Sequence, residues 1–288
     1  REFLAATMTF ECGDTDKVVQ YIAEAGRMGI KVAPPDINSC DKDFTVDGDR
    51  VRFGLAAVKG VGVKAVEAIL AARREANRFR DLYHFCEYVD LRAVNRATIE
   101  ALIKCGAFDS QGAHRAAMLA ALDRAIDLGQ TAAADRRSGQ MNMFALLGGG
   151  GEGAPAKPSF PQVDPLTEGE LLAAEKETLG FYVTSHPLVR YAREMDQLSS
   201  AGDDAARKVN LSSLEDFADG ARLVVGCMIA AIRPTVTKTG RSAGKRMAML
   251  TLEDTSGKAD AVVFSDAFER LGDRLEAEDR KSVVWERV

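Results

Sequence analysis

Four consecutive glycines, Gly148–Gly151, run into Glu152-Gly153-Ala154-Pro155-Ala156-Lys157-Pro158 and cut the chain into halves of different periodicity. Gly gives the backbone too much freedom, and Pro removes a donor, so no regular element crosses such a stretch. Before it, apolar residues recur at helical spacing in short pieces. From about residue 221 the spacing becomes two, the period of a strand. Helices on one side of a linker and strands on the other require at least two cores. At roughly 150 residues per domain, the 288 residues leave room for them. The expected fold class is multidomain α+β, an all-α region followed by a flexible linker and a small β-barrel.

Composition narrows the function. Hydrophobic residues make up 46% and charged residues 28%, ordinary for a globular protein, and no apolar run is long enough for a membrane span. The start, Arg1-Glu2-Phe3-Leu4, has neither an initiator Met nor a signal-peptide layout and reads as mid-protein. Net charge is −5, yet residues 50–80 carry eight Lys/Arg against two Glu, and residues 233–246 carry five Lys/Arg and no acid. Basic patches on an acidic chain imply focused contact with a polyanion, the alternative being solvated faces. The five cysteines, Cys12, Cys40, Cys86, Cys105 and Cys227, form no Cys-x-x-Cys pair, which argues against a disulfide framework or zinc knuckle and fits a reducing cytoplasm. His84, His114 and His186 lack metal-ligand spacing. No P-loop, dinucleotide fingerprint, nucleophile elbow or zincin motif is present. No catalytic residue and no metal ligand is therefore assigned.

The expected elements are as follows. Residues 1–28 read as helix, capped at Asp14 or Thr15. Pro34-Pro35-Asp36-Ile37-Asn38 must be extended or turning. Phe44-Thr45-Val46 and Val51-Arg52-Phe53 flank Asp47-Gly48-Asp49 as a hairpin. Residues 54–128 are helical in short pieces, with breaks at Gly60–Gly62, Asn77–Arg80, Asp90–Asn95 and Gly106–Gly112. Residues 166–198 are helical with a break at Ser185-His186-Pro187. Strands are expected at 223–232, 246–252 and 258–264, with Thr255-Ser256-Gly257 as a tight turn.

The sharpest motif is Leu55-Ala56-Ala57-Val58-Lys59-Gly60-Val61-Gly62-Val63-Lys64, continuing through Val66, Ile69 and Leu70. It has the shape of a helix-hairpin-helix. Gly60 and Gly62 permit a tight turn, and a helix begins directly after them with its first N–H groups free. Those groups form an anion site suited to a DNA phosphate. Lys59 and Lys64 flank it, so Lys59, Gly60, Val61, Gly62 and Lys64 are the candidate DNA-binding residues. Such a module grips the backbone and reads no sequence. The bland alternative is a helical hairpin whose glycines serve packing alone. Many such motifs carry Ala where Val66 stands. Val94–Asp109 looks like a degenerate second copy, capped at Asn95 and ended at Gly106, with a supporting role.

Two further features await partners. Gln140-Met141-Asn142-Met143-Phe144-Ala145-Leu146-Leu147 is an apolar island in a polar, Gly-rich stretch, which suits docking into another protein; folding back onto its own domain is the alternative. Thr235 to Met247 is a basic loop between strands, as expected of an OB-fold that takes single strands. Its candidate residues are Arg233, Lys238, Arg241, Lys245 and Arg246, though no aromatic residue lies among them.

In this order the elements resemble the alpha-subunit family of bacterial DNA polymerase III, the C-family replicative polymerases. The resemblance rests on Asp16-Lys17-Val18-Val19, Arg27-Met28-Gly29-Ile30, Pro34-Pro35-Asp36-Ile37-Asn38, Gly54 to Gly62, Leu102 to Asp109, Gln140 to Phe144, Glu177 to Tyr182, Ser185-His186-Pro187-Leu188, Leu250 to Asp254 and Val263-Phe264. It implies that residues 1–49 are the end of a fingers domain and residues 50–128 a helix-hairpin-helix region on duplex DNA. It further implies that 129–165 is a linker with a sliding-clamp peptide at Gln140, Met143 and Phe144, that 166–218 is a helical connector, and that 219–288 is a partial OB-fold near single-stranded template. Residues 279–288 read either as a further barrel strand or, preferred, as a non-native tail. The family's metal-bearing palm, with its two Mg ions, would lie upstream, so this chain implies no cofactor of its own and no polymerase activity alone. Its implied partners are double-stranded DNA, single-stranded template, the sliding clamp and other replicase subunits, with no membrane. A non-enzymatic DNA-binding adaptor and an error-prone relative are the competing readings.

Overall fold

The computed structural model describes residues 1–138, 158–198, 200–201, 209–237, 244–272 and 275. They form two compact units that divide between Thr184 and Ser185. The division falls inside the segment expected as a connector, because residues 158–184 return to pack on the first unit.

The first unit opens with two helices, α1 (Glu2–Phe10) and α2 (Thr15–Arg27). The single helix expected over residues 1–28 is broken because Asp14 leaves the helical conformation and caps α2 through the Lys17 N–H. A small sheet follows, made of β1 (Lys31–Ala33), β2 (Thr45–Asp47) and β3 (Arg50–Arg52), in the order β1-β3-β2. β2 and β3 are the expected hairpin, with a two-residue loop at Gly48-Asp49. β1 was not legible in the sequence and pairs parallel with β3.

The Pro34–Asn38 segment acts as a structural spacer. Ile37 is fully buried, and its N–H donates to the Ala107 carbonyl at 2.8 Å. The Asn38 side chain makes a reciprocal pair with the Phe79 backbone, donating at 2.9 Å and accepting at 2.8 Å. This amide stands in for a strand partner and fixes the chain beyond the third helix.

A 3-10 turn (Leu55–Ala57) leads into α3 (Val63–Ala76), followed by α4 (Leu82–Tyr88), α5 (Arg96–Lys104), a second 3-10 turn (Asp109–Gln111), α6 (Arg115–Ser138) and α7 (Glu168–Leu179). The shared core is built around Phe53, Phe79, Phe85, Phe108, Ile37, Leu55 and Ile69. Each such side chain contributes about 1.5–3 kcal/mol by burial. Phe85 stands edge-on to both Phe79 and Phe108, at 5.0 and 5.1 Å between centroids. Helix α6 continues to Ser138, into residues expected as linker. Ala132, Ala133 and Ala134 are strong helix formers that carry it there.

The second unit holds a 3-10 turn (Val189–Tyr191), α8 (Ala192–Leu198), β4 (Ser200–Ala201), a 3-10 turn (Leu211–Asp216), β5 (Leu223–Val224), β6 (Met228–Val236), β7 (Arg246–Glu253), β8 (Lys258–Val263) and α9 (Ser265–Leu271). The first expected strand is divided into β5 and β6. β4 pairs with β5, while β6, β7 and β8 form an antiparallel meander over Ile229, Ala248, Leu250 and Val263. Pro234, which cannot donate to a ladder, lies on edge strand β6. The turn after β7 is held by the Asp254 carboxylate, which accepts from the N–H groups of Ser256 and Gly257. The α+β organisation is the expected one. The described strands comprise a meander and a separate pair, short of a closed barrel.

Candidate nucleic-acid interface

The hairpin begins in an unexpected way. Its first helix is only the 3-10 turn Leu55–Ala57, because Val58 is already extended (φ −76°, ψ 124°). Leu55, Val58, Val61, Val66 and Ile69 are nonetheless buried as the pattern requires, and Val66 is accommodated with no exposure at all. Lys59, Gly60, Gly62 and Lys64 are all exposed. The predicted site residues therefore come together at one bend, with Val61 as its apolar anchor.

The two glycines do different things. Gly60 sits at φ +83°, a left-handed conformation that costs an L side chain about 1–2 kcal/mol. Gly62 has an ordinary extended φ of −77°, and a Cβ added there would meet nothing within 4 Å. Gly60 makes the turn, whereas Gly62 keeps its outer side open.

Gly62 is also the N-cap of α3, and no side chain caps the helix. The Val66 N–H closes the first turn on the Gly62 carbonyl at 3.1 Å, which leaves the N–H groups of Val63, Lys64 and Ala65 without an acceptor in the helix. By contrast, α2, α4, α5 and α7 are capped by Asp14, Asp81, Asn95 and Thr167. Free donors, the positive end of a helix dipole and two flanking ammonium groups form a surface complementary to a phosphate. Among the described residues neither lysine is in an ion pair.

The bend is held rigidly from behind. Thr98, in the expected supporting copy, donates its hydroxyl to the Gly60 carbonyl at 3.2 Å. The Lys59 N–H donates to the Thr178 carbonyl of α7 at 2.9 Å. Arg115, 5% exposed, joins Asp109 at 2.7 Å to the fully buried Glu175 of α7 at 3.0 Å. Glu175 also accepts from the N–H groups of Val183 and Thr184, at 2.7 and 3.0 Å. Burial of Lys104 works against its charge, but hydrogen bonds to Glu177 and Glu100 outweigh it and raise the pKa above the ordinary value. The Thr98 contact fits the supporting role expected of the second copy, but nothing in the local motif announced the contacts to α7, which join residues 60 to 119 positions apart. Burial pushes the Cys86 and Cys105 thiols up to about 12, so both are inert packing groups.

The other expected sites stand differently. Gln140, Met143 and Phe144 lie outside the described residues, as do Lys238, Arg241 and residues 279–288. Arg233 belongs to strand β6 and Arg246 opens strand β7, so neither lies in the basic loop. Lys245 reaches Glu269 at 3.3 Å and Asp266 at 3.7 Å, and Arg246 lies over the Phe268 ring at 5.5 Å. Helix α9 thus supplies the acids that the loop itself lacks. Among the described residues no group of His, Cys, Asp or Glu is arranged to hold a metal, and no helix is long and apolar enough to cross a membrane.

Residues 29–118 match the model of a helix-hairpin-helix motif family, which covers the bend, its supporting copy and the spacer before them. The bend and its supporting copy are therefore a helix-hairpin-helix motif. The chain is 38% identical over 96% of its length to the DNA polymerase III subunit alpha of Haemophilus influenzae. It is 36% identical over 98% to that of Escherichia coli K12, and 37% identical over 93% to that of Bacillus subtilis. The chain is thus similar along nearly its whole length to DNA polymerase III alpha subunits, and it spans 22–23% of the length of these relatives.

Proposed function

We propose that this chain is the DNA-gripping and clamp-tethering portion of a replicative DNA polymerase. The observation that carries the first part is the uncapped N-terminus of α3 behind a bend that exposes Gly60 and Gly62. A backbone phosphate would accept from the free N–H groups while Lys59 and Lys64 neutralise its neighbours. Such binding is indifferent to sequence and keeps a duplex in place as it moves.

The clamp tether rests on the sequence of Gln140, Met143 and Phe144, a polar amide ahead of two apolar side chains within a Gly-rich sequence. The meander of the second unit, with Arg233 exposed on its edge strand, supports a single-strand contact by an OB-type domain. Partner loading by other replicase subunits, and the two Mg ions of polymerase chemistry, would belong to the rest of the polymerase.

Duplex binding measured across a salt series tests this reading. Each phosphate contact should add about 0.9 to the slope of log affinity against log salt. Removing Lys59 and Lys64 together should lower the slope by up to about twice that. An unchanged slope would refute the phosphate role. In parallel, Met143→Ala with Phe144→Ala should abolish binding to a purified sliding clamp while leaving duplex affinity intact; persistent clamp binding would exclude the peptide.

A further inference from the structure

The hairpin leaves unexplained a cleft of about 450 Å³ at the far end of α3. Its floor is the Pro34–Cys40 segment, and one wall is the polar face of the small sheet. Strand alternation builds that wall. Val51 points into the core with no exposure, so Arg50 and Arg52 project together from the opposite face. In the parallel pairing of β1 with β3, Lys31 stands opposite Arg50 and adds a cation to the same row.

The remaining side is formed where α3 ends. Asn77 has φ +61° and ψ −40°, and it is the one non-glycine residue with positive φ among those described. Such a conformation is uncommon and costs energy that the surroundings must offset. It turns the chain so that Arg78 lines the cleft. Arg78 is exposed and has no ion pair among the described residues.

The charges do not cancel. Asp47 is shared by Arg50 at 3.0 Å and Arg52 at 2.8 Å, and the Asp36 carboxylate accepts from the Asn38 N–H at 2.9 Å. Among the residues that line the cleft, Arg50, Arg52 and Arg78 are cationic and Asp36 is acidic, with Asp47 shared by Arg50 and Arg52. Arginines that merely solvate a surface spread apart. Here Arg50, Arg52 and Arg78 line one concavity, with Ser39 beside them. Planar forks arranged in this way match the tetrahedral oxygens of a phosphate.

We propose that this cleft is a second anion site, which binds a phosphate group. Its position makes it separate from the hairpin, since the fourteen residues of α3 span about 20 Å. The phosphate can come from a free pyrophosphate or nucleotide, or from a nucleic-acid backbone.

Calorimetric titration of the whole chain with sodium pyrophosphate, and separately with a short single-stranded oligonucleotide, distinguishes these sources. Arg78→Gln should weaken the probe that binds by roughly tenfold or more, as expected for loss of a charged hydrogen bond. Arg78→Lys should recover part of the loss, because the charge returns without the fork. Pyrophosphate binding that depends on Arg78 supports the site and assigns it to free phosphates. Arg78-dependent binding of the oligonucleotide alone supports it and assigns it to a backbone. If neither probe binds, or neither responds to Arg78→Gln or to the double change Arg50→Gln with Arg52→Gln, the proposal is overturned. Should the double variant not fold, the exposed and unpaired Arg78 still decides. Gly62→Asp should leave pyrophosphate binding untouched, so failure of the hairpin reading would be seen separately.

Discussion

Replacing Gly62 with Asp separates helix stability from phosphate binding. The backbone there already has φ −77° and ψ 156°, which any residue adopts, and the space around a new Cβ is empty. An Asp side chain at this N-cap would accept from the first-turn N–H groups, as Asp14 does for α2 and Asp81 for α4. Relative to Gly the cap is worth a few tenths of a kcal/mol. The negative charge at a helix N-terminus adds about 0.3–1 kcal/mol. Together these should raise the melting temperature by about 1–4 °C for a unit of this size. Binding should move the opposite way. The carboxylate would occupy the donors offered to DNA and sit about 4 Å from a bound phosphate. Its repulsion is about 1 kcal/mol in water and about 4 kcal/mol at a partly desolvated surface, so affinity should fall by roughly five-fold to several-hundred-fold. Fluorescence anisotropy with a labelled duplex at low salt, beside a thermal melt, reads both effects. A variant that melts no lower than the wild type and binds the duplex just as tightly would refute the phosphate role. Gly60 is a poorer choice: with φ +83°, any side chain there destabilises the turn and confounds the two readouts.

Two other outcomes are expected. Glu175→Ala strands Arg115 and the N–H groups of Val183 and Thr184, and should lower stability by about 3–5 kcal/mol in urea unfolding, as for other broken buried ion pairs. A loss under about 1 kcal/mol would show that solvent reaches the network and that α7 is not clamped by it. His84 has its pKa lowered, chiefly by burial and then by the charge of Arg80. The folded state therefore disfavours its protonation, and its contribution is fully present above the ordinary value of about 6.5 and lost as pH falls below it. His84→Asn should flatten that part of the stability profile between pH 7 and 5; identical profiles would remove His84 as a cause.

Much of the first unit was legible because its signals are local. Asp14, Asn95 and the Asp-Gly turn act on neighbours a few residues away, so their spacing alone places them. The apolar frame of the hairpin was equally clear, since Val58, Val61, Val66 and Ile69 recur on one face. What could not be read depends on distant partners. The parallel strand Lys31–Ala33 has meaning only beside Arg50–Arg52. Gly129 resembled the start of a linker, yet it lies inside α6, where the absence of a Cβ admits the Cys86 carbonyl. The basic count over residues 50–80 was visible, but its division between a bend at Lys59–Lys64 and a cleft at Arg50, Arg52 and Arg78 needs the third dimension. The loop around Lys245 looked free of acid, yet Lys245 itself meets Asp266 and Glu269 from beyond the next two strands.

The return of residues 158–184 to the first unit changes how the peptide at Gln140–Phe144 is suspended. Phe160 stacks near Tyr83 at 5.2 Å between centroids, and α7 is fastened by Glu175, so the chain is moored on the same body before and after the glycines. A load applied to that peptide would be shared between two anchor points and not drawn along one strand toward the second unit. For a flexible loop, doubling the length costs only about 0.6 kcal/mol in closure entropy. Adding or deleting glycines there would leave both moorings on the first unit unchanged.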